Sequence, residues 1–183
     1  TKDLQKTDIM FPLMLRYESD TTTVEFETMR GPPDKILVYM ERDWTGLYPI
    51  WSKYQPVVTT VSVKVIGQDI DSVSKLDTTH TFYSTKRNSN FRSDTAWNRK
   101  YRGAVLLDRA DLEHWSQWSS LQGVDNFIGS ITVQSSEQYD DEYQPSDDTK
   151  KLLADGAKKL TVVFFYEDYS LGGELNNLRF WRI

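Results

Sequence analysis

Residues 57–67 read Val-Val-Thr-Thr-Val-Ser-Val-Lys-Val-Ile-Gly. In an extended chain Val57, Thr59, Val61, Val63 and Val65 share one face. Val58, Thr60, Ser62, Lys64 and Ile66 share the other. Alternation of period two, in β-branched residues, marks a strand with one face in a core. The segments on either side repeat the theme, so this stretch decides the fold class.

Upstream, 9–17 reads as a strand with Pro12 inside it. Proline cannot donate to a ladder, so the run is an edge strand or is broken at Phe11. Residues 23–28 alternate, with Val24 and Phe26 against Glu25 and Glu27. Gly31-Pro32-Pro33-Asp34 is a turn. The run 35–41 is mostly apolar, as suits a strand buried on both faces. A long loop is expected over 42–56.

Downstream, 68–75 reads as a polar connector, 79–85 as a fifth strand and 103–107 as a sixth. One short helix follows, with Asp108 as N-cap and Asp111 completing a capping-box analogue. Strands are expected at 127–134 and 160–169, separated by an acidic, polar loop over 135–157. The last residues, Leu178-Arg-Phe-Trp-Arg-Ile183, follow a turn containing Gly172, Gly173, Asn176 and Asn177, and read as the return strand of a hairpin. Eight or nine strands with one short helix make an all-β chain, an antiparallel β-sandwich of jelly-roll type.

Composition agrees. The 183 residues include 6 Trp, 10 Tyr and 8 Phe, an aromatic content of 13% that suits pleated surfaces. One domain is the expectation at this length. The chain begins at Thr1 and reads as a processed product or a piece of a longer protein. The net charge of −5 argues against a nucleic-acid binder. With no cysteine there is no disulfide, thiolate nucleophile or Cys-ligated zinc. No run is long enough to span a bilayer.

Candidate chemistry is thin. His80 and His114 are the two histidines, without the spacing of a metal motif or the company of a nucleophile elbow. Structural roles are expected for both. Glu25 and Glu27 have the separation of a glycosidase pair, but so does any solvent-facing strand. The acidic run at 139–148 lacks the spaced ligands and central glycine of a calcium loop. No metal, cofactor or catalytic residue is assigned. The stretch 86–109 carries seven basic residues against two acidic ones, a net of +5. Such polarity points to charge-matched contacts between subunits, with phosphate of a nucleic acid second. The residues expected to make subunit or ligand contacts are Trp44, Trp51, Arg87, Arg92, Trp97, Arg99, Trp115 and Trp118. Loop tryptophans are interface anchors and sugar platforms. They serve equally as apolar lids over a core.

The order of residues carries a resemblance. The strand at 57–67 is followed by Gln68-Asp69, Leu76-Asp77 and Phe82-Tyr83. Thr85-Lys86-Arg87-Asn88-Ser89, Phe91-Arg92-Ser93-Asp94 and Gly103-Ala104-Val105-Leu106-Leu107 come next, ahead of Asp111-Leu112. The chain then ends in Val162-Val163-Phe164-Phe165-Tyr166-Glu167-Asp168 and Leu178-Arg179-Phe180-Trp181. This succession resembles the jelly-roll capsid proteins of Polinton-like elements and other double-stranded DNA viruses, from residue 57 onward. The first 56 residues carry no such likeness. The resemblance implies a coat subunit that assembles with copies of itself or other coat subunits in a virion, without catalytic residues. At this length it implies a single jelly roll, as in a vertex subunit, or one half of a longer coat protein. The competing expectation is a lectin-like module that binds carbohydrate through loop Trp and Tyr.

Overall fold

The computed structural model describes residues 13–42, 53–69, 71, 75–83, 104–139 and 142–166. Eight strands lie among them: β1 (Leu13–Ser19), β2 (Thr23–Thr28), β3 (Lys35–Arg42), β4 (Tyr54–Gln68), β5 (Lys75–Tyr83), β6 (Val105–Leu107), β7 (Asn126–Tyr139) and β8 (Lys158–Tyr166). They form two antiparallel four-stranded sheets. Sheet one has the order β1-β8-β3-β6 and sheet two the order β2-β7-β4-β5.

This order has a simple origin. Each of the pairs β1–β8, β2–β7, β3–β6 and β4–β5 belongs to one long antiparallel ribbon whose tip is the β4–β5 hairpin. Rolling that ribbon adds the β3–β8 and β4–β7 ladders and leaves the chain in two sheets. Eight strands connected in this way make a jelly roll. The all-β sandwich expected from the alternation is therefore what the chain forms.

The inner faces supply the core. Val24, Phe26, Ile36, Val38, Val61, Val63, Val65, Phe127, Ile131, Val162 and Phe164 are all buried there. Through its middle runs a chain of aromatic contacts. Tyr17 meets Phe164 edge-on at 5.4 Å, Phe164 meets Phe26 at 5.0 Å, and Phe26 stacks on Phe127 at 5.3 Å. Phe127 then meets Trp118 at 6.0 Å, and Trp118 meets Trp115 at 5.7 Å. Such pairs add roughly 0.5–1.5 kcal/mol each beyond area burial.

Several local expectations change. Strand β4 carries a bulge at Thr59, where pairing passes from Val58↔Ser135 to Thr60↔Gln134. One extra residue reverses which face each side chain takes. Val61, Val63 and Val65 point inward as the alternation predicts, but Thr59 does not continue their buried row and instead donates to the Gln134 carbonyl at 3.1 Å. The loop read as 42–56 gives Arg42 to β3 and residues 54–56 to β4. The connector read as 68–75 gives its ends to β4 and β5. The closing strand at 178–183 lies outside the described residues.

Three helices, rather than one, lie among the described residues: α1 (Arg109–Glu113), α2 (Trp118–Leu121) and α3 (Asp147–Asp155). The segment read as an acidic loop over 135–157 is strand β7 as far as Tyr139 and then helix α3. Ser146 caps α3, its hydroxyl accepting from the Thr149 amide at 3.2 Å. Asp147 and Asp148 occupy its first turn, where carboxylates oppose the positive end of the helix dipole. At the other end Arg42 reaches from β3, buried, and donates to the Leu153 carbonyl at 3.1 Å and the Leu152 carbonyl at 3.2 Å. These are carbonyls the helix cannot satisfy itself. A side chain on Gly156 would occupy the space of that guanidinium.

Candidate functional site

The α1–α2 segment closes one end of the sandwich, and its local chemistry is readable residue by residue. The Asp108 carboxylate accepts from the Asp111 amide at 3.0 Å, and the Asp111 carboxylate accepts from the Asp108 amide at 3.0 Å. This is the expected capping box, made with two aspartates. It starts a helix of five residues that turns Leu112 and Trp115 into the core. The Trp115 amide donates to the Leu112 carbonyl at 3.0 Å and the Trp118 amide to the Trp115 carbonyl at 2.9 Å, so the chain keeps winding into α2. Gly31, at φ +76°, lets the β2–β3 turn pass under this lid, where a Cβ would lie 2.7 Å from the Val124 carbonyl oxygen.

Trp115 and Trp118 are the two expected contact residues that the structure describes. They are 2% and 7% exposed. Trp115 donates its indole N–H to Thr78 Oγ1 at 3.1 Å and stacks on His80 at 5.8 Å with 16° between the rings. Their ring faces are therefore committed to the core, and of the two readings of these tryptophans the lid fits. Trp44, Trp51, Arg87, Arg92, Trp97 and Arg99 lie outside the described residues.

Beside the lid is an open recess of about 340 Å³ between α1, α2 and the β2–β3 turn. Its rim carries Asp34, Arg109, Glu113, Ser119 and Gln122, with the tryptophans at its base. Arg109 donates to Asp34 at 3.1 Å across it, a partly exposed pair. The sequence marks Arg109 only as part of a basic stretch and Asp34 only as part of a turn, because nothing in their spacing announces that the turn and the helix meet.

His80 belongs to the inward row of β5, between Phe82 at 4.6 Å and Trp115. Burial holds its pKa below the usual imidazole value, and His114 adds to the shift in the same direction. Tyr166 donates to the Gly31 carbonyl at 2.9 Å, and burial pushes its phenol up to about 12. At the opposite end, Tyr54 is buried against Glu137 and the Leu153 carbonyl, and burial raises its pKa strongly. Lys158 pairs with Glu137 at 2.5 Å. These groups hold α3 and the strand ends in place. Among the described residues, no three of His, Cys, Asp and Glu lie close enough together to hold a metal ion.

Glu25 and Glu27 stand exposed on the outer face of sheet two, as the alternation predicts. The same face holds a row of hydroxyls. Thr23 and Thr132 lie 3.0 Å apart, and Thr81 donates to Ser62 at 3.2 Å. A shallow trough of about 520 Å³ crosses it, bounded by Glu25, Glu27, Lys64, Ile66, Ile128 and Ser130. No helix among the described residues is long and apolar enough to cross a membrane. No family model matches the chain, and neither does any curated protein.

Proposed function

We propose that this chain is a structural assembly module, a viral or virus-derived capsid subunit that works through contacts with copies of itself or with other coat subunits. The observation that carries the reading is the strand order, β1-β8-β3-β6 over β2-β7-β4-β5. Jelly rolls of eight strands serve as capsid, lectin and cupin domains. Within that group the chemistry of this chain favours the first. Its described tryptophans are core, its perturbed groups are explained by packing, and the outer face of sheet two is an open, mixed-charge surface. The proposal assigns no catalytic residue and no cofactor.

The test is size. Sedimentation of the protein at rising concentration, with electron microscopy of the fastest species, is expected to give symmetric rings or shells. A protein that stays monomeric under all such conditions and binds glycans would sink the reading.

The lectin-like alternative keeps one specific support, the polar-rimmed recess beside α1 and α2. Planar polar side chains above aromatic edges suit a sugar. Glycan titration followed by tryptophan fluorescence addresses it, and a response lost in Gln122→Ala and Glu113→Ala would favour it.

A further inference from the structure

The outer face of sheet two is built to meet itself. Strand β7 runs between β2 and β4, and the register sets two rows across them. In one row Glu25 lies beside Ser130 and Ser130 beside Lys64. In the next, Glu27 lies beside Ile128 and Ile128 beside Ile66. Negative charge therefore stands on β2, positive charge on β4, and a short or apolar side chain between them. With strands about 4.8 Å apart, Glu25 and Lys64 are about 10 Å from each other across the face. Neither makes an ion pair with any described residue. Ser130, short between two long neighbours, leaves the trough open.

We infer that this face pairs with the same face of a second copy, about a two-fold axis running along β7. That axis places Glu25 of one copy over Lys64 of the other, and the reverse, while Ile128 meets its counterpart and Ile66 comes over Glu27. It is an isologous contact, in which each residue meets the partner of its own partner. The opposite charges at the two ends of the Glu25–Ser130–Lys64 row select that arrangement, because the alternative of sliding like over like is repelled. The occupant is a second copy because the charge order of the Glu25–Ser130–Lys64 row is its own complement.

The inference rests on the assembly reading and names one surface for it. The area is modest. Three strands overlap about that axis, and at about 4.8 Å apart with six residues of about 3.3 Å each they make about 290 Å² per copy. That is the size of a weak contact. A shell suits such a contact, because it repeats the same weak pairing many times.

Sedimentation equilibrium of four proteins tests it: the unmodified chain, Glu25→Lys, Lys64→Glu, and the double reversal. All the altered side chains point to solvent, and an unchanged melting curve verifies the fold of each. Each single reversal is expected to weaken self-association at least tenfold, and the double reversal to restore it to within about threefold. Singles that associate like the unmodified chain, or a double as weak as either single, would overturn the inference.

A second measurement is independent of affinity. The chain has no cysteine. Ser130 sits by the axis, so Ser130→Cys is expected to cross-link into dimers under mild oxidation, whereas Thr79→Cys, away from the axis, is not. Equal cross-linking of the two would overturn the pairing. Shells that form unchanged with Glu25→Lys would remove this face and leave the assembly reading standing. An unmodified chain that never associates would remove both.

Discussion

The two sheets of this sandwich share one core but differ in what lies behind them. Over β3, β6 and β8 the outer face of sheet one is apolar and buried: Leu37 and Tyr39 on β3, Leu106 on β6, and Val163 and Phe165 on β8 form a second cluster with Ala104. The outer face of sheet two is open and polar, with Glu25, Glu27, Lys64, Thr132 and Ser62. Antiparallel sheets commonly pack one face and wet the other. Sheet two follows that habit and sheet one does not. The difference is one of cover: β3, β6 and β8 are buried on both sides, and sheet two leaves one face open.

The largest expected effect tests the buried side. Phe165, 2% exposed behind sheet one, should matter nearly as much as Phe164, which is fully buried between the sheets. Each Phe→Ala change is expected to cost about 3–5 kcal/mol in urea unfolding. Thr132→Ala on the open face should stay within about 0.5 kcal/mol. A Phe165→Ala protein as stable as Thr132→Ala would break the comparison.

A second change tests how sheet two is built from within. A Cβ on Gly129 would run into the Lys64 carbonyl of the neighbouring strand. Gly129→Ala is therefore expected to cost on the order of 1–3 kcal/mol through backbone displacement. It should also reduce self-association, because it shifts Ser130 and Ile128. A stable, unperturbed variant would mean that β4 and β7 have slack.

The contrast between the sheets was partly legible in the sequence. The unbroken run Ile36–Met40 signals a strand buried on both faces, and all five residues are buried. Alternation at 57–67 signals one wet face, and Lys64 and Ile66 point there. The strand order is a different matter. It depends on which strands meet after rolling, and no local pattern encodes that. The bulge at Thr59 was hidden for a related reason: β-branched residues on both sides of it satisfy either phase. Helix α3 was missed because only Leu153 of its nine residues is buried, so it has almost no apolar stripe to read. Its cap, Ser146, was visible, but Arg42, which holds its other end, lies more than a hundred residues away. The recess was illegible for the same reason, since the Asp34–Arg109 pair spans 75 positions.

A third prediction concerns the lid that seals the shared core. The capping box was read correctly from Asp108 and Asp111, and Asp108→Ala is expected to cost about 1 kcal/mol. The loss should appear as faster hydrogen exchange at α1 and α2, with little change in β3 or β8. Uniform loss of protection through both sheets would mean that the lid and the sandwich unfold as one unit.

The smallest expected effect comes from the imidazole that sheet two turns toward the core. The inner row of its edge strand β5 reads Leu76, Thr78, His80 and Phe82, while edge strand β1 of sheet one turns Leu15 and Tyr17 inward. His80 is held below its ordinary pKa of 6.5, chiefly by burial and then by His114. The folded chain therefore binds a proton at His80 less readily than the unfolded chain does. Stability is full above about pH 6.5 and declines as the pH falls below it, because the unfolded state then takes up the proton first. His80→Phe should flatten that part of the stability curve and leave the acid limb set by carboxylates in place. Protonation would also set a cation against Trp115, so the loss should be accompanied by a change in tryptophan emission that His80→Phe lacks. Identical curves for the two proteins between pH 5 and 7 would show that His80 is solvated, and that sheet two keeps its polar character outside the core on both of its edges.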